Sequence, residues 1–291
     1  MPATGASGQR VARGRSRLGR LAAGAAFASA ALACTAFFIW RELPEGAVAG
    51  RLASALSQLA RRPVGIEQAG LVFDGSGPAL RARGVAIDAP GSALRFDSLL
   101  LRPIPGLTWL AGEPELRAEL AGDAGRADLL LRAARELGLR GELSQVDLSL
   151  AALFAPELAL SGRGDLRLAL EDVSRLPRGR VELDARDGSF SAPGLPLAIP
   201  YQTLRLRAEL GSARELLRLE QCRLVGPLLR AEVEGGIGAG MSLATAPLDL
   251  RIRLEVEASL REAFASAGIA LGPDGSARLR VTGSAALPQV R

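Results

Sequence analysis

The sequence predicts a mainly β protein: an N-terminal transmembrane helix, then a large curled antiparallel sheet (a β trough or half-pipe) with one or two short helices. Three observations carry that expectation. Runs such as "LDLRIRLEVEASL" (248–260) alternate apolar and polar residues, which places all the oily side chains on one face of a strand. About a dozen such runs succeed one another, separated by Gly, Pro and Asp turn signals, in the manner of a meander. Finally, residues 21–40 carry no charge.

Residues 1–20 form a basic tail that contains Arg10, Arg13, Arg15, Arg17 and Arg20 and no acid. The stretch "LAAGAAFASAALACTAFFIW" from Leu21 to Trp40 comes next. At about 1.5 Å per residue its helix would cover about 30 Å, a bilayer's hydrocarbon thickness. Phe37, Phe38 and Trp40 close it as an interfacial aromatic anchor. The positive-inside rule keeps the arginines in the cytoplasm and sends residues 41–291 across the membrane. Two other readings stay open. "SAALA" offers a signal-peptidase site, and "ALAC", ending at Cys34, has the look of a lipoprotein processing site. Cys34 is followed by Thr-Ala-Phe-Phe-Ile-Trp, where a lipidated N-terminus would be followed by polar residues, so a retained anchor is favoured.

Residues 41–63 hold an amphipathic helix or linker. Val48, Leu52, Leu56 and Leu59 recur at helical spacing, between Pro44 and Pro63. Beyond Val64 the period changes to two, and residues 64–291 form the expected β domain. Its runs include "ALRARGVAID" (79–88), "SALRFDSLLL" (92–101), "GDLRLAL" (164–170), "TLRLRAEL" (203–210) and "SARLRVTGSA" (276–285). "FDGSGP", "ARDGS", "VGP", "EGGIGAG" and "GPDGS" are read as turns between them. "RADLLLRAARELGLR" (126–140) fits either a strand or a helix. "SLREAFASAGIAL" (259–271) has Leu260, Phe264 and Ala267 at helical spacing and is expected to cap the sheet.

So many one-sided strands present more oily surface than one or two helices can cover. At about 25 cal/mol per Å², leaving it wet is costly, so the sheet is expected to curl onto itself. A packed sandwich without ligand is the competing architecture. Leu248, Leu250, Ile252, Leu254 and Val256 are the candidate lining of an apolar groove. An outer-membrane barrel is disfavoured by the single Tyr and the missing aromatic girdle.

Composition narrows function further. The chain of 291 residues has 36 basic residues, all Arg, and no His. Six of those arginines lie within residues 1–41, which leaves 30 against 31 acidic residues, so the body is balanced. Nucleic acid is therefore not an expected partner. Without imidazole or Lys there is no Ser–His pair, ordinary zinc site, Schiff base or P-loop. Asp184 and Asp187 are the closest attractive carboxylates, placed where a turn is expected to put Asp anyway. No enzyme activity, metal or cofactor is expected. Cys34 and Cys222 cannot pair if the anchor is intact, so the exported body has no disulfide.

An Arg-flanked span leads into "LPEGAVAGRLASALSQLARRPVGIEQAGLVFDG", then "GPALRARGVAIDAP" and "SALRFDSLLLRPIPGL". A long Gly-punctuated β region comes after, closed by "RLRVTGSAALPQVR". In this order the chain resembles the N component of bacterial type II secretion systems (GspN), in its form related to AsmA-like proteins. The resemblance implies a single-pass inner-membrane protein with a periplasmic β domain and no catalytic residues. The implied partners are other inner-membrane secretion proteins. The alternative it implies is an AsmA-like lipid-binding or lipid-transfer protein, with phospholipid in an apolar β groove.

Overall fold

The computed structural model describes residues 45–291 except 61, 76, 90–91, 110, 135, 150–158, 174–176, 192–197, 213–214, 240–244, 267, 285–286 and 291. The tail, the proposed span and the Arg10–Arg20 and Phe37–Trp40 anchor residues therefore lie outside the described residues. By contacts the chain divides into one unit, Met1–Val48, and a second, Ala49–Arg291, which holds the whole sheet. Among the described residues no helix is long and apolar enough to cross a membrane.

Helix α1 spans Glu45–Ala60, where the spacing of Val48, Leu52 and Leu56 predicts it. One hydroxyl ties its last turn to the start of the sheet at Val64. Ser57 Oγ donates to the Ala53 carbonyl at 2.7 Å and accepts the Val64 N–H at 2.9 Å. That bond fixes where the chain leaves the helix and enters the first strand.

Strand order in the sheet tracks the sequence. The strands are β1 (Val64–Asp74), β2 (Gly77–Ala89), β3 (Ser92–Ile104), β4 (Glu115–Gly122), β5 (Gly125–Ala133), β6 (Leu137–Asp147), β7 (Ala159–Leu160) and β8 (Arg163–Glu171). They continue as β9 (Arg178–Ser191), β10 (Ile199–Leu210), β11 (Glu215–Val225), β12 (Leu229–Gly238), β13 (Pro247–Val256), β14 (Ser276–Ser284) and β15 (Pro288–Val290). Every strand pairs antiparallel with its neighbour in sequence, except that β6 pairs β8 while short β7 pairs β9 beside the main path. The two ends, β1 and β15, do not meet, so this is one open antiparallel sheet. The ambiguous segment 126–140 resolves as strand, from β5 into β6. Between β13 and β14 a 3-10 turn, Ala258–Leu260, leads into helix α2, Arg261–Ser266, shorter than the expected cap over 259–271.

Two expected turns prove to be strand. "GGIGAG" contributes Gly235–Gly238 to the end of β12, and "ARDGS" runs through the body of β9. Turn-forming composition yields here because neighbouring strands pair with most of both segments: Ala185, Arg186, Gly188 and Ser189 with β10, and Gly235, Gly236 and Ile237 with β11 and β13.

Where the alternation in the sequence breaks, the backbone compensates. Apolar spacing stretches from two to three between Leu143 and Val146 and between Leu219 and Cys222, and the strand registers shift at both places. A bulge adds one residue to one strand, so the next apolar side chain returns to the same face. In β2 and β3 the same step occurs opposite itself, Ala82 to Val85 against Phe96 to Leu99, at Gly84 with φ 61°. All four apolar residues there are buried.

Candidate functional site: the apolar face of the sheet

Strand register joins the apolar positions into rows across the sheet. One row runs Ala69, Ala82, Leu99, Leu120, Ala127, Leu143, Leu166, Leu183, Leu206, Cys222, Val233, Ile252 and Leu279, one residue from each strand of the main path from β1 to β14. The neighbouring row starts at Leu71 in β1, passes Leu129, Leu168, Leu219 and Leu250, and ends at Val290 in β15. No polar side chain interrupts either. The face is continuous from one edge to the other.

Burial along this face is graded. In β13, Leu248, Leu250 and Ile252 are half-buried, whereas Leu254 and Val256 are buried. The buried end belongs to a core cluster with Tyr201, Leu224, Leu229 and Ala277, joined by Leu260 and Phe264 at α2. Thus the five lining residues expected from the sequence do share one face, but Leu254 and Val256 lie in a packed core and Ile252 packs against it. From Leu143 to Leu279 every member of the first row is only half-buried. A shallow recess of about 610 Å³ opens beside α2, with Arg261, Ala265, Ile269 and Leu271 on its walls. The sequence reading missed the extent of the face, because cross-strand rows depend on register, which the turn lengths and bulges set.

Tyr201 fastens the packed end. Its hydroxyl donates to the Ser161 carbonyl at 2.6 Å, joining β10 to the segment between β7 and β8, and burial raises its pKa.

The opposite face carries the charges, arranged as lateral ion pairs. Arg280 donates to both carboxylate oxygens of Asp249 (2.9 and 3.0 Å), Arg167 meets Glu142 at 2.9 Å, and Arg223 meets Glu232 at 3.4 Å. Hydrogen bonding from Arg280 holds the Asp249 carboxyl below its ordinary range, and Arg117 does the same for Asp128. These depressed values stabilise the fold at neutral pH. The contribution fades as pH falls through the folded-state values, and solvent keeps each one small. Asp184, one of the two attractive carboxylates, is tied to Arg205 at 3.2 Å, and both are largely exposed. Asp187 lies in the same strand at φ 50°. Among the described residues no three His, Cys, Asp or Glu groups converge as a metal-holding set.

Cys222 lies in the first apolar row as a free thiol, and burial raises its pKa. Less thiolate at a given pH means slower alkylation and exchange. Reaction of Cys222 with a disulfide reagent at pH 8 is expected to be slower than that of a small free thiol. A rate equal to the free thiol's would show that this face is open to water at Cys222.

Comparison of the chain with protein-family models, with curated proteins and with solved structures finds no match.

Proposed function

We propose that this is a non-catalytic protein, anchored in the bacterial inner membrane by residues 21–40. Its β unit stands in the periplasm, and the apolar face of its sheet curls into a trough for phospholipid acyl chains. The observation that supports this reading is the unbroken, half-buried apolar row from Leu143 to Leu279. A contiguous apolar face left partly open marks a binding surface more often than an unused one. An acyl chain laid across it loses water contact at about 0.8 kcal/mol per methylene. Such a gain needs only a smooth greasy track and no fixed polar partner, which is what these rows offer.

The test is native mass spectrometry of the full chain extracted in mild detergent. Phospholipid should accompany the wild type and be lost from Leu250→Glu, whose half-buried side chain lies outside the core cluster. The circular dichroism of that variant should match the wild type's. A lipid-free wild type, or a Leu250→Glu chain that unfolds, would falsify the trough.

A second reading makes the tethered β unit an accessory of the type II secretion machine, beside that machine's other inner-membrane proteins. It is supported by the order of segments: α1 leading directly into β1, a long meander, and the closing β14–β15 hairpin at "RLRVTGSAALPQVR". A deletion strain should accumulate type II cargo in the periplasm, and one that exports every such cargo normally speaks against this role.

A further inference from the structure

The connection between β3 and β4 carries the most exposed large apolar side chain among the described residues. Leu107 is 83% exposed, and Trp109 two residues on is 45% exposed. Neither serves the core. Both lie in "PIPGLTWLAG", Pro103 to Gly112, ten residues without a charge. Register places this connection beyond the sheet. β3 ends at Ile104 opposite Glu115, the first residue of β4, and β2 begins close by at Gly77, just before the Leu80–Leu101 pair. The turn between β3 and β4 therefore projects past the rim.

The same turn spends its hydrogen bonds on itself. Leu107–Trp109 form a 3-10 turn in which the Trp109 N–H donates to the Gly106 carbonyl. The amides of Ala111 and Glu113 donate to the Thr108 carbonyl, and that of Gly112 to the Trp109 carbonyl. The indole N–H, the single polar group of the Trp109 side chain, donates to the Ile104 carbonyl at 2.7 Å. At the base of the turn charge is paired, with Arg132 reaching both Glu113 and Glu115.

A leucine and a tryptophan raised on a rim suit either a protein pocket or a lipid surface. Hydrogen bonding favours the second. A protein partner offers hydrogen bonds of its own across the interface, whereas in lipid a polar group must find its partner within the chain. Four amides and the indole have done so here. Trp109 can therefore follow Leu107 below the headgroups without giving up a bond, while the paired charges at Arg132 stay at headgroup level.

We propose that the β3–β4 turn docks this unit on the surface of a lipid bilayer, with Leu107 inserted among the acyl chains and Trp109 beside it in the interface. The docking stands whether or not the apolar face carries lipid. Trp40 and Trp109 are the two tryptophans, so Trp40→Phe in the full chain leaves Trp109 as the only reporter. That chain is reconstituted into vesicles of phosphatidylcholine and phosphatidylglycerol, with or without bromine on the acyl chains, and tryptophan emission is read. Bromine should quench Trp109 at least twofold. Leu107→Asp should abolish the quenching with unchanged circular dichroism, since the side chain it replaces is exposed. Two controls should quench as the parent does: Leu287→Asp, an exposed leucine at the β14–β15 turn, and Leu250→Glu, which alters the apolar face alone. Quenching that fails to appear, the result if the turn instead meets a protein, would overturn the proposal. So would quenching that survives Leu107→Asp, or that either control removes equally.

Discussion

A Gly235→Ala chain is expected to lose about 2–4 kcal/mol of stability, read as a lower urea midpoint with little change in slope. Two effects combine at this position. Gly235 sits at φ 128°, where a side chain is strained, and an added Cβ would be driven into the Asp249 carbonyl oxygen. The strand cannot easily retreat. Gly235 faces Leu219 on one side and Leu250 on the other, next to the bulge between Leu219 and Cys222. Relief on one side therefore costs ladder bonds on the other. Gly65→Ala is the control: no positive φ and nothing within 4 Å of its Cβ, so its midpoint should stay within about 0.5 kcal/mol of wild type. Equal midpoints for the two variants would mean that β12 is not held as described.

The second large effect is expected at Phe264, which is 4% exposed. Removing its ring should cost about 3–5 kcal/mol, the usual loss when a buried aromatic becomes Ala. Helix α2 has only six residues, well below the length at which a helix persists alone in water. It is held by side chains, Leu260 and Phe264, that insert into the buried end of the sheet beside Val256 and Leu254. Without the ring, the amides of Arg261–Ser266 should exchange with solvent early, ahead of those in β1–β5. The thermal midpoint should fall by about 6–20 °C. If exchange in α2 is unchanged, Phe264 is not what fastens it.

Much of this architecture was legible because side-chain period is a local property. β13 could be read residue by residue from "LDLRIRLEV", and α1 from its leucine spacing between two prolines. The features that escaped the sequence reading depended on neighbours. "GGIGAG" and "ARDGS" have turn composition, yet pairing with neighbouring strands keeps Gly235–Gly238 and most of "ARDGS" within β12 and β9, with Asp187 left in the left-handed region. The three-residue steps at Leu143–Val146 and Leu219–Cys222 read as lapses of pattern, although register shifts turn them into continuity. The candidate face was recognised in one strand alone. Its extent, and the burial of Leu254 and Val256 under α2, depend on which residue sits opposite which, and no single run encodes that.

Because each strand of the main path leans on the one just before it and the one just after, no segment waits for a distant portion of chain to close the structure. Assembly can proceed like a zip from any hairpin, with modest loop-closure cost at every step. The same arrangement frees the breadth of the protein from its chemistry. Excising β4 with β5 would leave β3 antiparallel to β6 and bring Leu99 alongside Leu143, so the greasy track would shorten by two strands and keep its texture. Span is then a quantity that gene duplication or deletion can tune in whole hairpins, as in repeat proteins whose length is set by counting units.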